Sequence, residues 1–145
     1  ETPDARSAYA LRMIHGIGTD IASVARLAAL YEKHGERALE KLLAPAEREG
    51  FERAADKGRF LAKRFAAKEA FGKALGIGVA APATLPNVAI DHDTLGKPVF
   101  AYAPELDAWL RERGLIAHLS ISDEKDYATA FVVVERLSGL AQASS

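Results

Sequence analysis

One helix limits how the rest of this chain can be arranged. From about Arg59 to Leu75, at about 100° per residue, Phe60, Leu61, Phe65, Ala67, Phe71, Gly72 and Leu75 share one broad apolar arc. Arg64 and Lys68 project into that arc, while Ala62, Ala66, Ala70 and Ala74 fall outside it. Glu69 is the single acid among Arg59, Lys63, Arg64, Lys68 and Lys73. A strongly patterned element that breaks its own binary pattern marks a functional position, because packing is given up there for something else. The plainer alternative is that the two cations lay their aliphatic stems over apolar neighbours and that Glu69 and Lys73 form an ordinary i,i+4 pair.

Such a helix needs a core to pack against. With 145 residues, 49% of them hydrophobic, the chain is long enough for one domain and short for two. It has no cysteine, which excludes disulfides and thiolate metal sites and leaves carboxylates and four histidines as ligands. A metal bound by such residues is a hard one, magnesium above all. A net charge of -1 argues against bulk attraction to nucleic acid or to an anionic membrane, and no apolar run approaches a membrane span. The first residues have no signal-like apolar core, so a cytoplasmic protein is expected. The regular pattern starts directly after Met13, the only methionine. Residues 1–12 therefore read as an added or disordered extension, 13–137 as the domain and 138–145 as a frayed tail.

Ile14 to Gly18 reads as a short strand, followed through Thr19-Asp20 by a helix from about Ile21 to Lys33. At that junction Asp20 is either an N-cap or a ligand. Gly16-Ile17-Gly18 does not continue as a dinucleotide loop, since Ile21 stands where a third glycine belongs; the glycines allow close backbone approach to a ligand or another chain. Arg26 and Lys33, seven residues apart, share a helix face, which Arg37 joins only if the helix continues past Gly35. Pro45 opens a helix through Phe51, and Gly76 with Gly78 closes the central helix. A hairpin over 88–102, a helix from Pro104, an alternating strand over 116–122 and a β-prone run over 127–135 complete the chain. His118, Ser120 and Ser122 face one side of their strand. The expected fold is α+β, a small mostly antiparallel sheet packed against the long central helix.

Asp20 and Glu69 are the carboxylates best placed for a hard-metal site, with Arg64, Lys68 and Lys73 nearby to bind phosphates. His118 is a further candidate for a phosphate or a nucleotide edge.

Four stretches, Ile14-His-Gly-Ile-Gly-Thr-Asp-Ile21, Arg64-Phe-Ala-Ala-Lys-Glu-Ala70 with Lys73 following, Leu95-Gly-Lys-Pro98 and His118-Leu-Ser-Ile-Ser122, resemble in order and spacing the holo-[acyl-carrier-protein] synthases. These are the short, single-repeat members of the 4'-phosphopantetheinyl transferase superfamily, and the resemblance runs from about Met13 to Arg136. It implies magnesium-dependent transfer of 4'-phosphopantetheine from coenzyme A to a serine of apo acyl carrier protein. It also implies a homotrimer with interfacial active sites. Asp20 and Glu69 would hold the metal; Arg64, Lys68, Lys73 and His118 would contact phosphates and nucleotide; Asp20, Glu69 and Lys73 would form the catalytic group. Serine deprotonation by Glu69 or by a metal-held water stays open. Arg26 and Lys33 are expected to meet the acidic carrier protein. The rival reading is a non-catalytic module that docks an acidic partner through basic helices.

Overall fold

The computed structural model describes residues 12–137. The extension and tail expected at the two ends otherwise lie outside them, except that Arg12 belongs to the first strand. Strands β1 (Arg12–Ser23), β4 (Leu115–Asp123) and β5 (Tyr127–Leu137) form one antiparallel sheet in the order β1-β5-β4, and β2 (Val88–His92) pairs with β3 (Pro98–Tyr102) as a separate hairpin. The helices are α1 (Val24–His34), α2 (Glu36–Leu42), α3 (Arg48–Arg53), α4 (Lys57–Leu75) and α5 (Pro104–Glu112), with single 3-10 turns at Pro45–Glu47 and Leu85–Asn87.

The central helix α4 is buried on both flanks. Ala62, Ala66, Ala67 and Ala70 are all fully buried, so the flank of small residues packs rather than facing water. It lies on the sheet because the facing strands are also small there. Ala128 and Ala130 point inward from β5. On β1, a Cβ added at Gly16 or Gly18 would stand 2.1 Å from the carbonyl oxygen of Ala74 or Ala70 respectively. The Gly16-Ile17-Gly18 stretch thus serves close approach to this chain's own helix. The opposite flank carries Phe71, whose ring centroid lies 4.9 Å from that of Phe100 and 5.6 Å from that of Tyr102 on the hairpin. Gly76, at φ 88°, ends the helix as expected, while the start lies two residues earlier than expected, at Lys57, where Asp56 accepts from the Arg59 amide as N-cap.

Two expectations are corrected. β1 does not stop at Gly18 but continues to Ser23, with Asp20 paired opposite Ala130 in the ladder. Ser23, not Asp20, caps α1, its Oγ accepting from the Arg26 amide at 3.2 Å. Alternation and helical spacing overlap across Ile21-Ala22-Ser23, and the available partner strand β5 decides for the ladder. Further on, Gly35 at φ 54° breaks the helix, so Arg37 begins α2 and does not extend the row of Arg26 and Lys33.

The sheet face turned away from α4 carries a group of exposed apolar side chains: Ile17 and Ile21 are each 61% exposed and Phe131 43%. Apolar surface in need of a partner therefore lies on the sheet, whereas the wide arc of α4 is covered within the chain.

Candidate active site

The lengthened β1 and the close packing at Gly18 bring Asp20 to the side of α4, where three candidate residues meet. Lys73 donates from Nζ to Asp20 Oδ1 at 3.1 Å and to the Thr19 carbonyl at 2.9 Å. Glu69, one turn earlier on α4, has its carboxyl held above the usual range. Partial burial is the main cause and the negative charge of Asp20 the second, with Lys73 and then Arg26 opposing. Asp20 is 16% exposed and Lys73 53%, so the acid is fixed while the ammonium reaches solvent. A cleft of about 480 Å³ opens beside Asp20 and Lys73, lined also by Ser120, Ser122, Thr129 and Phe131.

Two carboxylates whose charges oppose each other form an oxygen donor set suited to a hard divalent cation. Among the described residues there is no group of three or more metal-ligating side chains. A cation held by Asp20 and Glu69 would therefore take its remaining positions from water and substrate oxygens.

Arg64 and Lys68 are placed differently. Lys68 is fully buried, and all three of its donors are used inside the chain: to Glu47 Oε1 at 2.6 Å, to the Leu42 carbonyl at 2.8 Å and to the Leu85 carbonyl at 3.0 Å. Burial pulls its ammonium down to about 8, with Glu47 opposing that fall. No donor remains for a phosphate, which corrects the expected contact. Arg64 lies with its guanidinium 3.6 Å from the centre of the Phe60 ring. Its Nε is 3.2 Å from Glu47 Oε2, close enough to pair by charge but not aligned for a hydrogen bond. The second reading of the helix, cations lying over apolar neighbours, describes Arg64; Lys68 is anchored instead.

Glu47, the residue that holds both, was missed from the sequence. Besides the two cations it accepts from the Ala44 amide at 2.9 Å and the Ile90 amide at 3.0 Å. The available signal was Pro45-Ala46-Glu47, a proline at the first helical position with a glutamate at the third, which returns its carboxylate to the capping position. Nothing in that signal points to α4.

His118 does not join the carboxylates within one chain. It stands on the outer face of β4, opposite Val133, with Nε2 2.8 Å from Glu135 Oε1. A second cleft of about 380 Å³ adjoins it, lined by Lys97, Phe100, Tyr102 and Ile116 among others. Arg26 and Lys33 are exposed on α1, with Arg26 near enough to influence Glu69. Asp123, at the end of β4, accepts from Arg59 at 2.9 Å, a contact that ties the β4–β5 turn to the start of α4.

Residues 16–132 match the family model of the 4'-phosphopantetheinyl transferase superfamily. The holo-[acyl-carrier-protein] synthase of Dechloromonas aromatica (strain RCB) is 61% identical over 123 residues, covering 85% of this chain and 98% of the relative. Among solved structures, the holo-[acyl-carrier-protein] synthase of Neisseria meningitidis aligns with a TM-score of 0.81 at 48% identity, over 84% of this chain and 98% of that one. That of Bacillus anthracis str. Ames in complex with CoA (3',5'-ADP) aligns with a TM-score of 0.71 at 33% identity, over 86% of this chain and 98% of that one. This chain belongs to the 4'-phosphopantetheinyl transferase superfamily, among its holo-[acyl-carrier-protein] synthases.

Proposed function

We infer that this chain transfers 4'-phosphopantetheine from coenzyme A to a serine of apo acyl carrier protein and releases adenosine 3',5'-bisphosphate. The observation that carries the reading is the meeting of Asp20, Glu69 and Lys73 where β1 crosses α4, in a chain so similar to holo-[acyl-carrier-protein] synthases. The serine hydroxyl oxygen bonds to the nearer phosphorus of the coenzyme A pyrophosphate, the bridging P–O bond breaks, and the hydroxyl proton goes to a base. The protein's task is to hold nucleophile and phosphate in line and to receive negative charge.

Magnesium at Asp20 and Glu69 would supply charge neutralisation on the pyrophosphate oxygens. Lys73 orients Asp20 and, being half exposed, extends toward the leaving phosphate. Arg64, whose side chain is 13% exposed, would offer a terminal nitrogen to a further phosphate oxygen. Arg26 and Lys33 receive the acidic carrier protein in the cytoplasm. No helix among the described residues is long and apolar enough to cross a membrane.

The assembly belongs to the same reading: a homotrimer in which one copy's His118 and Lys97 cleft faces its neighbour's carboxylates. Supporting it are the separation of His118 from Asp20 and Glu69 onto opposite faces of the sheet, and the exposed Ile17, Ile21 and Phe131 on the face that carries His118. The test of the function is incubation with coenzyme A, magnesium and apo carrier protein. A carrier protein gaining one phosphopantetheine group supports the reading, and an unmodified one favours the docking module.

A further inference from the structure

We propose that Glu47 is a positioning residue for this site: its buried carboxylate sets the rotation of α4 and thereby the placement of Glu69 opposite Asp20. The proposal rests on the transferase reading of the Asp20–Glu69 cluster, and it adds a residue outside that cluster.

Glu47 is 4% exposed, yet its two oxygens serve four groups. Oε1 accepts from the Ala44 amide at 2.9 Å and from Lys68 at 2.6 Å. Oε2 accepts from the Ile90 amide at 3.0 Å and lies 3.2 Å from Arg64 Nε. The amides fix the carboxylate to the 3-10 turn and to β2, and the cations fix α4 to the carboxylate. Arg64 and Lys68 are four residues apart and so lie one above the other on one helix face. Gripping both prevents the helix from turning about its axis, which a single contact would not. Lys68 adds two carbonyls, Leu42 at the end of α2 and Leu85 in the second 3-10 turn, so four segments besides α4 converge on one ammonium and one carboxylate.

Glu69 follows Lys68 directly, about 100° further round the helix, where its carboxyl feels the charge of Asp20 on β1. On that side the helix is stopped by backbone, with Gly16 and Gly18 against Ala74 and Ala70. The network sets rotation and the glycine seam sets distance. Together they determine how far the Glu69 carboxylate stands from Asp20. A purely stabilising role would be served as well by apolar packing, since a buried ion pair is weak evidence for stability. Two cations drawn to one carboxylate directly behind the candidate metal ligand give directional control that apolar contacts lack.

The test uses the full chain with Glu47→Gln, which keeps the shape and one good acceptor but removes the charge that draws in Lys68 and Arg64. Thermal unfolding is measured first. Manganese is then titrated alone, followed by paramagnetic broadening of the Gly18 and Ala70 amides, and steady-state kinetics are measured for coenzyme A and for carrier protein. The expected result is a folded variant with manganese affinity lowered at least fivefold and kcat lowered at least tenfold. KM for carrier protein stays within twofold, because α1 is untouched. A folded variant with manganese affinity and kcat near those of the unaltered chain overturns the proposal. If Glu47→Gln does not fold, Glu47→Leu with Lys68→Met leaves no unpaired charge from this pair and is read by the same criteria; failure of both to fold makes Glu47 a folding element only and also overturns it. Should the unaltered chain bind manganese but transfer nothing, the functional reading fails while the manganese comparison still decides the role of Glu47.

Discussion

Replacing Gly18 by alanine tests the seam between β1 and α4 with a single methyl group. The new Cβ would stand 2.1 Å from the Ala70 carbonyl oxygen, 2.8 Å from the Ala74 amide nitrogen and 2.9 Å from Lys73 Cβ, where real Cβ contacts do not fall below 3.0 Å. The closest obstacles are helix backbone, which cannot rotate aside, so strand and helix must part by about 1 Å in a close-packed interior. Gly18 is not among the glycines with positive φ, and an alanine there is not strained by its own backbone; the cost comes from overpacking, about 1–3 kcal/mol. The larger effect falls on chemistry. Asp20 lies two residues along β1 and Glu69 directly precedes Ala70, so the gap opens between the two carboxylates. A displacement of about 1 Å in a positioned site costs on the order of 100-fold in rate. Turnover is followed by mass spectrometry of the carrier protein at saturating substrates, beside a thermal melt. Gly50→Ala, whose Cβ would meet only the Phe60 ring edge at 3.3 Å, is the control and should keep near-normal turnover. A folded Gly18→Ala variant with unchanged kcat would refute the claim that this seam sets the site's geometry.

The other expectations concern charges and assembly. Asp20→Ala and Glu69→Ala should each lose transfer at low magnesium while unfolding near the original temperature, since the exposed Lys73 partner of Asp20 contributes at most about 1 kcal/mol; near-normal turnover in either removes that carboxylate from the metal site. Lys68→Met should cost about 3–5 kcal/mol by leaving Glu47 buried without its closest cation, and Glu47→Leu added to it should recover much of that in a denaturant titration. Arg26→Glu and Lys33→Glu should raise KM for carrier protein at least tenfold at low salt and leave that for coenzyme A within about threefold. The difference should shrink as salt reduces the reach of exposed charges to about 8 Å, and an unchanged carrier-protein KM places docking elsewhere. Light scattering should give the mass of three chains; a fully active monomer contradicts an interfacial site.

The elements whose pattern is local were legible in the sequence. Pro104 at a helix start, the Asp93 to Lys97 turn of the hairpin and the alternation of β4 all appear where local propensity places them. Glu69 and Lys73 could be singled out as candidates because a lone acid among cations on a patterned helix is visible without coordinates. The Asp20 position was harder, since Ile21-Ala22-Ser23 suits either a strand or a helix and only pairing with Tyr127, Ala128 and Thr129 decides it. Lys68 was misplaced for a deeper reason. A cation inside an apolar arc reads the same whether it points at a ligand or at a buried acid, and its acid lies 21 residues away in sequence. The row of alanines on α4 likewise read only as lying outside the apolar arc, because the glycines that receive it belong to β1. Long-range partners of this kind leave no periodic trace.

The most direct test of the account is the mass of an apo acyl carrier protein after incubation with this chain, coenzyme A and magnesium, run beside the Glu69→Ala variant. A gain of one 4'-phosphopantetheine group on the carrier serine, with adenosine 3',5'-bisphosphate released in equal amount and neither product formed by the variant, is the expected result. An unmodified carrier protein that nevertheless binds the chain would contradict it, and so would equal modification by the variant.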